Sequence, residues 1–187
     1  MALERTMLNF LQRLSGIATI TNSLVKKATK IAVLDTRKTT PAWRMLEKYA
    51  VRVGGGRNHR FSLGDMILVK DNHIDANGGD VNKTLEKVFA KKPFYMTVEV
   101  EARNLTELKD ILKFPIDVIM LDNMDLNQIK EASAMIRETN PKIEIEVSGG
   151  ITPEKIEELQ VCDIDSISCS YITTKAKPVD ISMLVEK

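Results

Sequence analysis

Cysteine is scarce in this sequence, and the two residues present, Cys162 and Cys169, do not form a C-x-x-C pair. Only two histidines accompany them, so the Cys and His combinations that hold structural zinc are missing. A disulfide framework is excluded as well, because small disulfide scaffolds carry several pairs of cysteines. We therefore expect buried or inert thiols in a reducing compartment, and no zinc site.

Neither sign of charge dominates, and long apolar runs are missing. The 27 Lys and Arg residues stand against 26 Asp and Glu residues, which argues against a general surface for nucleic acid or another polyanion. The first 30 residues scatter charges among apolar residues at helical spacing, unlike a signal peptide or a membrane span. We expect a cytoplasmic protein with neither membrane nor nucleic acid as partner.

The sequence instead alternates strand-like and helix-like segments. Helix start signals stand at Pro41, Asn104 and Thr152-Pro153. The strand-like runs are short: IAVLD (31–35), VRVG (51–54), MILVK (66–70), MTVEVEA (96–102), DVIMLD (117–122), IEIEVSG (143–149) and SISCS (166–170). Such alternation is typical of parallel strands joined by right-handed crossovers. It predicts one domain over residues 1–187, a TIM-like (β/α) barrel, open or incomplete, with about seven parallel strands. A doubly wound sheet is the alternative.

Nearly every predicted strand ends in polar residues, and the first set is basic. An isolated Arg-Lys pair such as Arg37-Lys38 is more often a solvated turn than a binding site. Lys70 is harder to dismiss, because it closes an apolar run and an unpaired buried charge is costly. In a barrel the carboxyl ends of the strands meet on one face. Five residues would together surround a substrate with several negative charges: Arg37, Lys38, His59, Arg60 and Lys70.

The later strands end in acids and in small residues. Glu99 and Glu101 alternate with valines and share one face of a strand, while Asp122 follows another apolar run. Carboxylates bind magnesium ions and sugar hydroxyls, and they stabilise positive charge on a sugar carbon. The turn Ser148-Gly149-Gly150 leads into a predicted helix, where free backbone N–H groups bind phosphate. Alone, a Gly-Gly turn more often serves backbone geometry.

Taken together and in order, these segments resemble one known family. DTRKTTP, GGGRNHR, LVKDNHI, VEVEARN, MLDN and VSGGIT are similar to the barrel domain of quinolinate phosphoribosyltransferase, also called nicotinate-nucleotide pyrophosphorylase (carboxylating). The resemblance spans residues 2 to 183. It implies transfer of phosphoribosyl from phosphoribosyl pyrophosphate to quinolinate, with decarboxylation, in NAD biosynthesis. The products would be nicotinate mononucleotide, carbon dioxide and pyrophosphate, with Mg²⁺ as cofactor.

The resemblance also implies roles for individual residues. Lys38 would lie near the pyrophosphate or the junction of the two substrates, and of the two glutamates Glu101 would join Asp122 at the ribose and the metal. The quinolinate carboxylates would bind Thr36, Arg37, His59, Arg60 and Lys70. Lys38, Glu101 and Asp122 would be catalytic. The phosphate would be held by Ser148, Gly149, Gly150, Ser170 and Tyr171.

Two departures from the family pattern bear on activity. The family's N-terminal α/β domain, which caps the neighbouring subunit's site, is expected to be absent, and the intact family implies a homo-oligomer, a dimer or higher. Ser170 stands where the family usually has glycine. Two alternatives stay open: a homologue associated with molybdenum transport that acts on a different substrate, and a barrel fragment that folds without turning over.

Overall fold

The computed structural model describes residues 3–184. The helices are α1 (Glu4–Ala28), α2 (Arg44–Val53), α3 (Asp71–Asp75), α4 (Val81–Lys91), α5 (Leu105–Ile111), α6 (Leu126–Thr139), α7 (Pro153–Leu159) and α8 (Tyr171–Thr174). The strands are β1 (Ala32–Leu34), β2 (Ile67–Val69), β3 (Val98–Ala102), β4 (Val118–Asp122), β5 (Glu144–Ser148) and β6 (Ser166–Ser168). Within this part of the chain, no helix is both long and apolar enough to span a membrane.

All strands lie in one parallel sheet with the order β1-β6-β5-β4-β3-β2. This order follows the chain without the reversal of a doubly wound sheet, so the sheet curves as a barrel and is open between β1 and β2. The predicted incomplete α/β barrel is confirmed, with six strands instead of about seven. A single parallel bridge joins Leu34 to Arg57 beyond the free edge of β1.

The predicted strand VRVG (51–54) is wrong, because these residues form the end of α2 and its cap. Ala50 and Val51 are buried together with Glu47 and Lys48, a spacing that belongs to one face of a helix. No proline or glycine interrupts the segment before Gly54, so the helix continues through the β-branched residues. The other six predicted strands are confirmed, and each is shorter than predicted.

Two of the three helix start signals act as caps, whereas Pro41 lies in a turn and α2 begins only at Arg44, without a side-chain cap. The side chain of Asn104 accepts hydrogen bonds from the backbone of Thr106 and Glu107, and that of Thr152 accepts from Lys155, which satisfies N–H groups that the first turn leaves free. α1 packs on the segment that follows α8: the backbone N of Val179 donates to Gln12 O at 3.0 Å. α1 also packs against β1, and α5 packs against β3.

The interior of the barrel contains charged groups as well as aliphatic ones. Glu99 of β3 and Glu146 of β5 are 0% and 2% exposed. Their Oε2 atoms lie 3.2 Å and 3.5 Å from Nε2 of His59. Burial, with the negative charge of Glu99, raises the pKa of Glu146 from its ordinary value of 4.5 to about 7. A proton is therefore retained inside the barrel under conditions where an exposed glutamate has lost it.

Replacing Glu146 by glutamine tests this buried proton. Between pH 4.5 and about 7 the folded chain keeps the proton that the unfolded chain loses, so the native protein's stability falls as the pH rises through this window. Glu146→Gln cannot ionise. We expect its free energy of unfolding, relative to the native protein, to rise across the window by up to roughly 1.4 kcal/mol per pH unit. Urea titrations at several pH values measure the difference.

Glu144→Gln provides the matched control, because Glu144 lies exposed on the same strand. Its stability difference from the native protein should stay nearly constant with pH. If the stability difference between Glu146→Gln and the native protein were also constant with pH, Glu146 of the folded protein would be ionised across this pH window.

Candidate active site

A cavity of about 770 Å³ opens at the carboxyl ends of the strands. In parallel barrels this is the face that binds ligands. All of the site residues predicted from the sequence line it: Thr36, Arg37, Lys38, His59, Arg60, Lys70, Glu101, Asp122, Ser148, Gly149, Gly150, Ser170 and Tyr171. The fold therefore gathers side chains from six strand ends around one space.

One side of the cavity is cationic. Nη1 of Arg60 donates to the carbonyl of Met66 at 3.2 Å, which leaves the rest of the guanidinium available. Burial, followed by the positive charge of Arg37, lowers the pKa of Arg60. Nε of Arg37 is itself buried without a hydrogen-bond partner among the described residues. A pair of guanidiniums in this state is stabilised by an anion, and their planar forks fit carboxylates in particular.

A second side is acidic and meets the cationic side at Lys70. Lys70 Nζ binds Glu101 Oε1 at 2.8 Å, and the backbone N of Asp71 donates to Glu101 Oε2 at 3.1 Å. Asp122 accepts from the side chain of Asn123 at 2.7 Å. Burial, followed by the negative charge of Glu101, raises the pKa of Asp122. The negative charge of Glu101 therefore disfavours the charged form of Asp122, which a nearby cation would favour.

This donor set fits the predicted magnesium ion. Mg²⁺ prefers carboxylate oxygens, and it commonly takes one or two from the protein and the others from water and substrate phosphates. Glu101 and Asp122 supply two such groups on one wall of the cavity. A divalent cation would also relieve the repulsion that raises the pKa of Asp122.

The third side is formed by small residues and helix starts. Gly149 has a φ of 91°, and a Cβ placed on it would lie 2.2 Å from Oδ1 of Asn123, so only glycine fits there. The turn leads through Gly150, with a φ of 57°, to the N-cap Thr152 of α7. Ser170 has a φ of −73°, a right-handed conformation that any residue adopts, so the serine at this position causes no backbone strain.

A buried network positions the stretch between Gly56 and Arg60. Lys48 of α2 forms an ion pair with Asp35, and its Nζ also donates to the carbonyl of His59 at 2.9 Å. The other donors to Asp35 are the backbone N of His59 at 2.9 Å and the side chain of Asn58 at 2.6 Å. Burial raises the pKa of Asp35, against the opposing effect of these partners. The stretch is therefore fixed by charged groups in addition to the parallel bridge between Leu34 and Arg57.

Sequence reasoning missed three residues in and around this cavity: Lys48, Glu146 and Lys175. Lys48 gave no signal beyond its place on the buried face of α2. Glu146 alternates with aliphatic residues in IEIEVSG, the same pattern that placed Glu99 and Glu101 on one face, and that pattern could have found it. Lys175 also lines the cavity without having been predicted. Glu99 lies beneath the cavity, fully buried.

Comparison with known proteins identifies the family of the chain. A family model described as the C-terminal domain of quinolinate phosphoribosyl transferase matches residues 17–184. A probable nicotinate-nucleotide pyrophosphorylase [carboxylating] of Methanocaldococcus jannaschii is 46% identical over 97% of the chain and 66% of its own length. A chloroplastic nicotinate-nucleotide pyrophosphorylase [carboxylating] of Arabidopsis thaliana is 40% identical over 98% of the chain and 57% of its own length.

A solved structure of NadC from Streptococcus pyogenes superposes with a TM-score of 0.89 at 46% identity, covering 98% of the chain and 64% of NadC. The chain thus spans roughly three fifths of the length of these relatives. Because the family model matches most of the residues in order, the chain belongs to the family of quinolinate phosphoribosyltransferase C-terminal domains.

Proposed function

We propose that this chain is the barrel domain of a quinolinate phosphoribosyltransferase, a nicotinate-nucleotide pyrophosphorylase (carboxylating) of NAD biosynthesis. The reaction joins quinolinate to phosphoribosyl pyrophosphate and yields nicotinate mononucleotide, carbon dioxide and pyrophosphate. The observation that carries the proposal is the division of one cavity into a cationic wall around Arg37 and Arg60 and an acidic wall around Glu101 and Asp122. Each wall complements one of the two substrates.

The cationic wall suits quinolinate, which brings two carboxylates. Arg37, Arg60 and Lys70 would bind them, with the hydroxyl of Thr36 as a further donor. His59 lines the same wall. Binding in this way orients the ring nitrogen toward the ribosyl carbon, so that proximity supplies part of the rate. Once the nitrogen is ribosylated, the ring is cationic and accepts the electron pair that the adjacent carboxylate leaves behind as carbon dioxide departs.

The acidic wall suits the ribosyl centre, which becomes positive as pyrophosphate leaves. Glu101 and Asp122 would stabilise that charge and contact the ribose hydroxyls. The same carboxylates would hold Mg²⁺, which supplies charge neutralisation for the departing pyrophosphate. Lys38 would bind the pyrophosphate from the rim. Ser148, Gly149 and Gly150, with Ser170 and Tyr171, would hold the 5′-phosphate.

The proposal also covers the cell compartment and the assembly in which the domain acts. The 187 residues would act as one barrel domain, in the cytoplasm, within a homo-oligomer in which the site is completed by another domain. Pyrophosphate release by this chain, alone and with the unmatched portion of the Streptococcus pyogenes relative added in trans, measures whether the barrel turns over. Absence of release under both conditions would favour a non-catalytic barrel.

Arg60→Lys tests the cationic wall. Lysine keeps the charge but loses the planar fork, so we expect quinolinate binding to weaken by roughly 1 to 3 kcal/mol, the scale of a charge-assisted hydrogen bond. Isothermal titration calorimetry with quinolinate measures it. Arg52→Lys is the control, because Arg52 is exposed on α2. This variant should bind quinolinate with the affinity of the native protein. Unchanged affinity in Arg60→Lys would show that Arg60 does not contact the ligand.

Glu101→Gln tests the acidic wall. The variant loses a negative charge beside the ribosyl centre, so we expect turnover to fall by more than quinolinate affinity does. Pyrophosphate release gives kcat, and calorimetry gives the affinity on the same preparation. Glu138→Gln, at an exposed position of α6, serves as the control. Loss of quinolinate affinity with normal turnover would place Glu101 at quinolinate and not at the ribosyl centre.

A further inference from the structure

Two segments of the cavity rim lie side by side. One is the Lys38 segment, residues 36–40, which follows β1, and the other is the α8 segment, residues 170–176, which follows β6. Because β1 and β6 are paired in the sheet, their carboxyl ends bring the two segments together. Both segments contribute to the cavity, Lys38 from the first and Ser170 and Tyr171 from the second.

The hydroxyl of Thr173 connects the two segments. Thr173 lies in α8 and is 2% exposed. Its Oγ1 lies 2.8 Å from the carbonyl oxygen of Lys38 and 3.0 Å from that of Ser170. A hydroxyl has one proton to donate, and the Ser170 carbonyl already accepts the backbone N–H groups of Thr173 and Thr174. The proton therefore goes to the carbonyl of Lys38, which has no other donor among residues 3–184.

The main chain of Lys38 is thereby fixed on both sides, whereas its charge is not. Its backbone N donates to Oγ1 of Thr36 at 3.1 Å, and its carbonyl accepts from Thr173. In the part of the chain that the structure describes, Nζ of Lys38 forms no ion pair. A lysine held in this way presents an available ammonium group to an anion in the cavity.

An ion pair connects the same segments at a second place. Arg13 of α1 donates to the carbonyls of Thr173 at 2.8 Å and Ala176 at 3.0 Å, and its Nη2 lies 3.5 Å from Oε1 of Glu47. Glu47 is 0% exposed. It accepts from the hydroxyl of Thr40 at 2.7 Å and from the backbone N of Thr40 at 3.1 Å. The α8 segment therefore has a fixed position from which Thr173 can hold Lys38.

We propose that Thr173 is a positioning residue for Lys38: its hydroxyl holds the carbonyl of Lys38 and thereby sets the position from which the ammonium group reaches the pyrophosphate. Thr173 is not among the residues that line the cavity, so it acts through Lys38 and not on a substrate. The identity of the ligand rests on the proposed function, whereas the contact between Thr173 and Lys38 does not.

Hydrogen exchange followed by mass spectrometry tests this contact in the free protein. Thr173→Val removes the hydroxyl at nearly constant shape, and Thr173→Ser keeps it. We expect residues 36–40 to exchange about fivefold to tenfold faster in the Val variant, the value of one net hydrogen bond, with β4 unchanged. The Ser variant should exchange as the native protein does.

Thr139→Val is the matched control, because Thr139 is exposed on α6 and its hydroxyl donates within that helix. Residues 36–40 should exchange at the native rate in this variant. If they also did so in Thr173→Val, the hydroxyl of Thr173 would serve α8 alone, and the proposal would be wrong.

A double-mutant cycle tests the role in binding. Calorimetry with phosphoribosyl pyrophosphate and Mg²⁺ gives the affinities of the native protein, Thr173→Val, Lys38→Met and the double variant. We expect Thr173→Val to weaken binding by about fivefold to tenfold in the native protein. Once Lys38 is replaced, the same change should have no effect, because the two residues act as one unit. Equal losses in both backgrounds would show that Thr173 acts through the α8 segment, and would overturn the proposal.

The two experiments separate this inference from the proposed function. If the native protein binds neither phosphoribosyl pyrophosphate nor quinolinate, the proposed function fails, and hydrogen exchange still decides whether Thr173 holds the Lys38 segment. If phosphoribosyl pyrophosphate binds, and Thr173→Val matches the native protein in affinity and in exchange, the function stands and the positioning role is refuted.

Discussion

The ion pair between Lys48 and Asp35 is the constraint on which the site depends. Both groups lie in the protein interior, at 4% and 0% exposure, where either charge without its partner would cost several kcal/mol. Each group also binds the backbone of His59. The chain after Gly56 therefore has one path, set by α2 and the end of β1. That path carries Arg60 to the cavity wall, so a pair of charges outside the site determines the geometry within it.

Much of the fold followed from local signals in the sequence. Asn104 and Thr152 marked helix starts because their side chains satisfy free N–H groups in any context. The strands after β2 were evident from short aliphatic runs. VRVG failed because a short run of β-branched residues fits a helix as well as a strand, and the choice depends on which face is buried. That choice is made by tertiary packing of α2, which no local pattern contains.

The site was more predictable than its supports. Residues at strand ends must converge in a barrel, so Arg37, Glu101 and Asp122 could be placed together from position alone. Lys48 could not, because an isolated lysine on a helix is usually solvated, and only the location of Asp35 makes burial favourable. The contacts of the His59 ring were equally hidden, since they join strands far apart in sequence. The residues that line the site can thus be predicted from local sequence, whereas the residues that position them depend on contacts across the fold.

The open edge between β1 and β2 has a consequence for how this domain can change during evolution. In a fully paired barrel, backbone hydrogen bonds between strands close the sheet, and these bonds depend little on the identity of the side chains. Here a parallel bridge joins the end of β1 to Arg57, and the guanidinium of Arg60 reaches the carbonyl of Met66 just before β2. Arg60, which the proposed function places against quinolinate, is thereby also a contact across the open edge. A substitution at Arg60 would therefore change ligand binding and the closure of the sheet together.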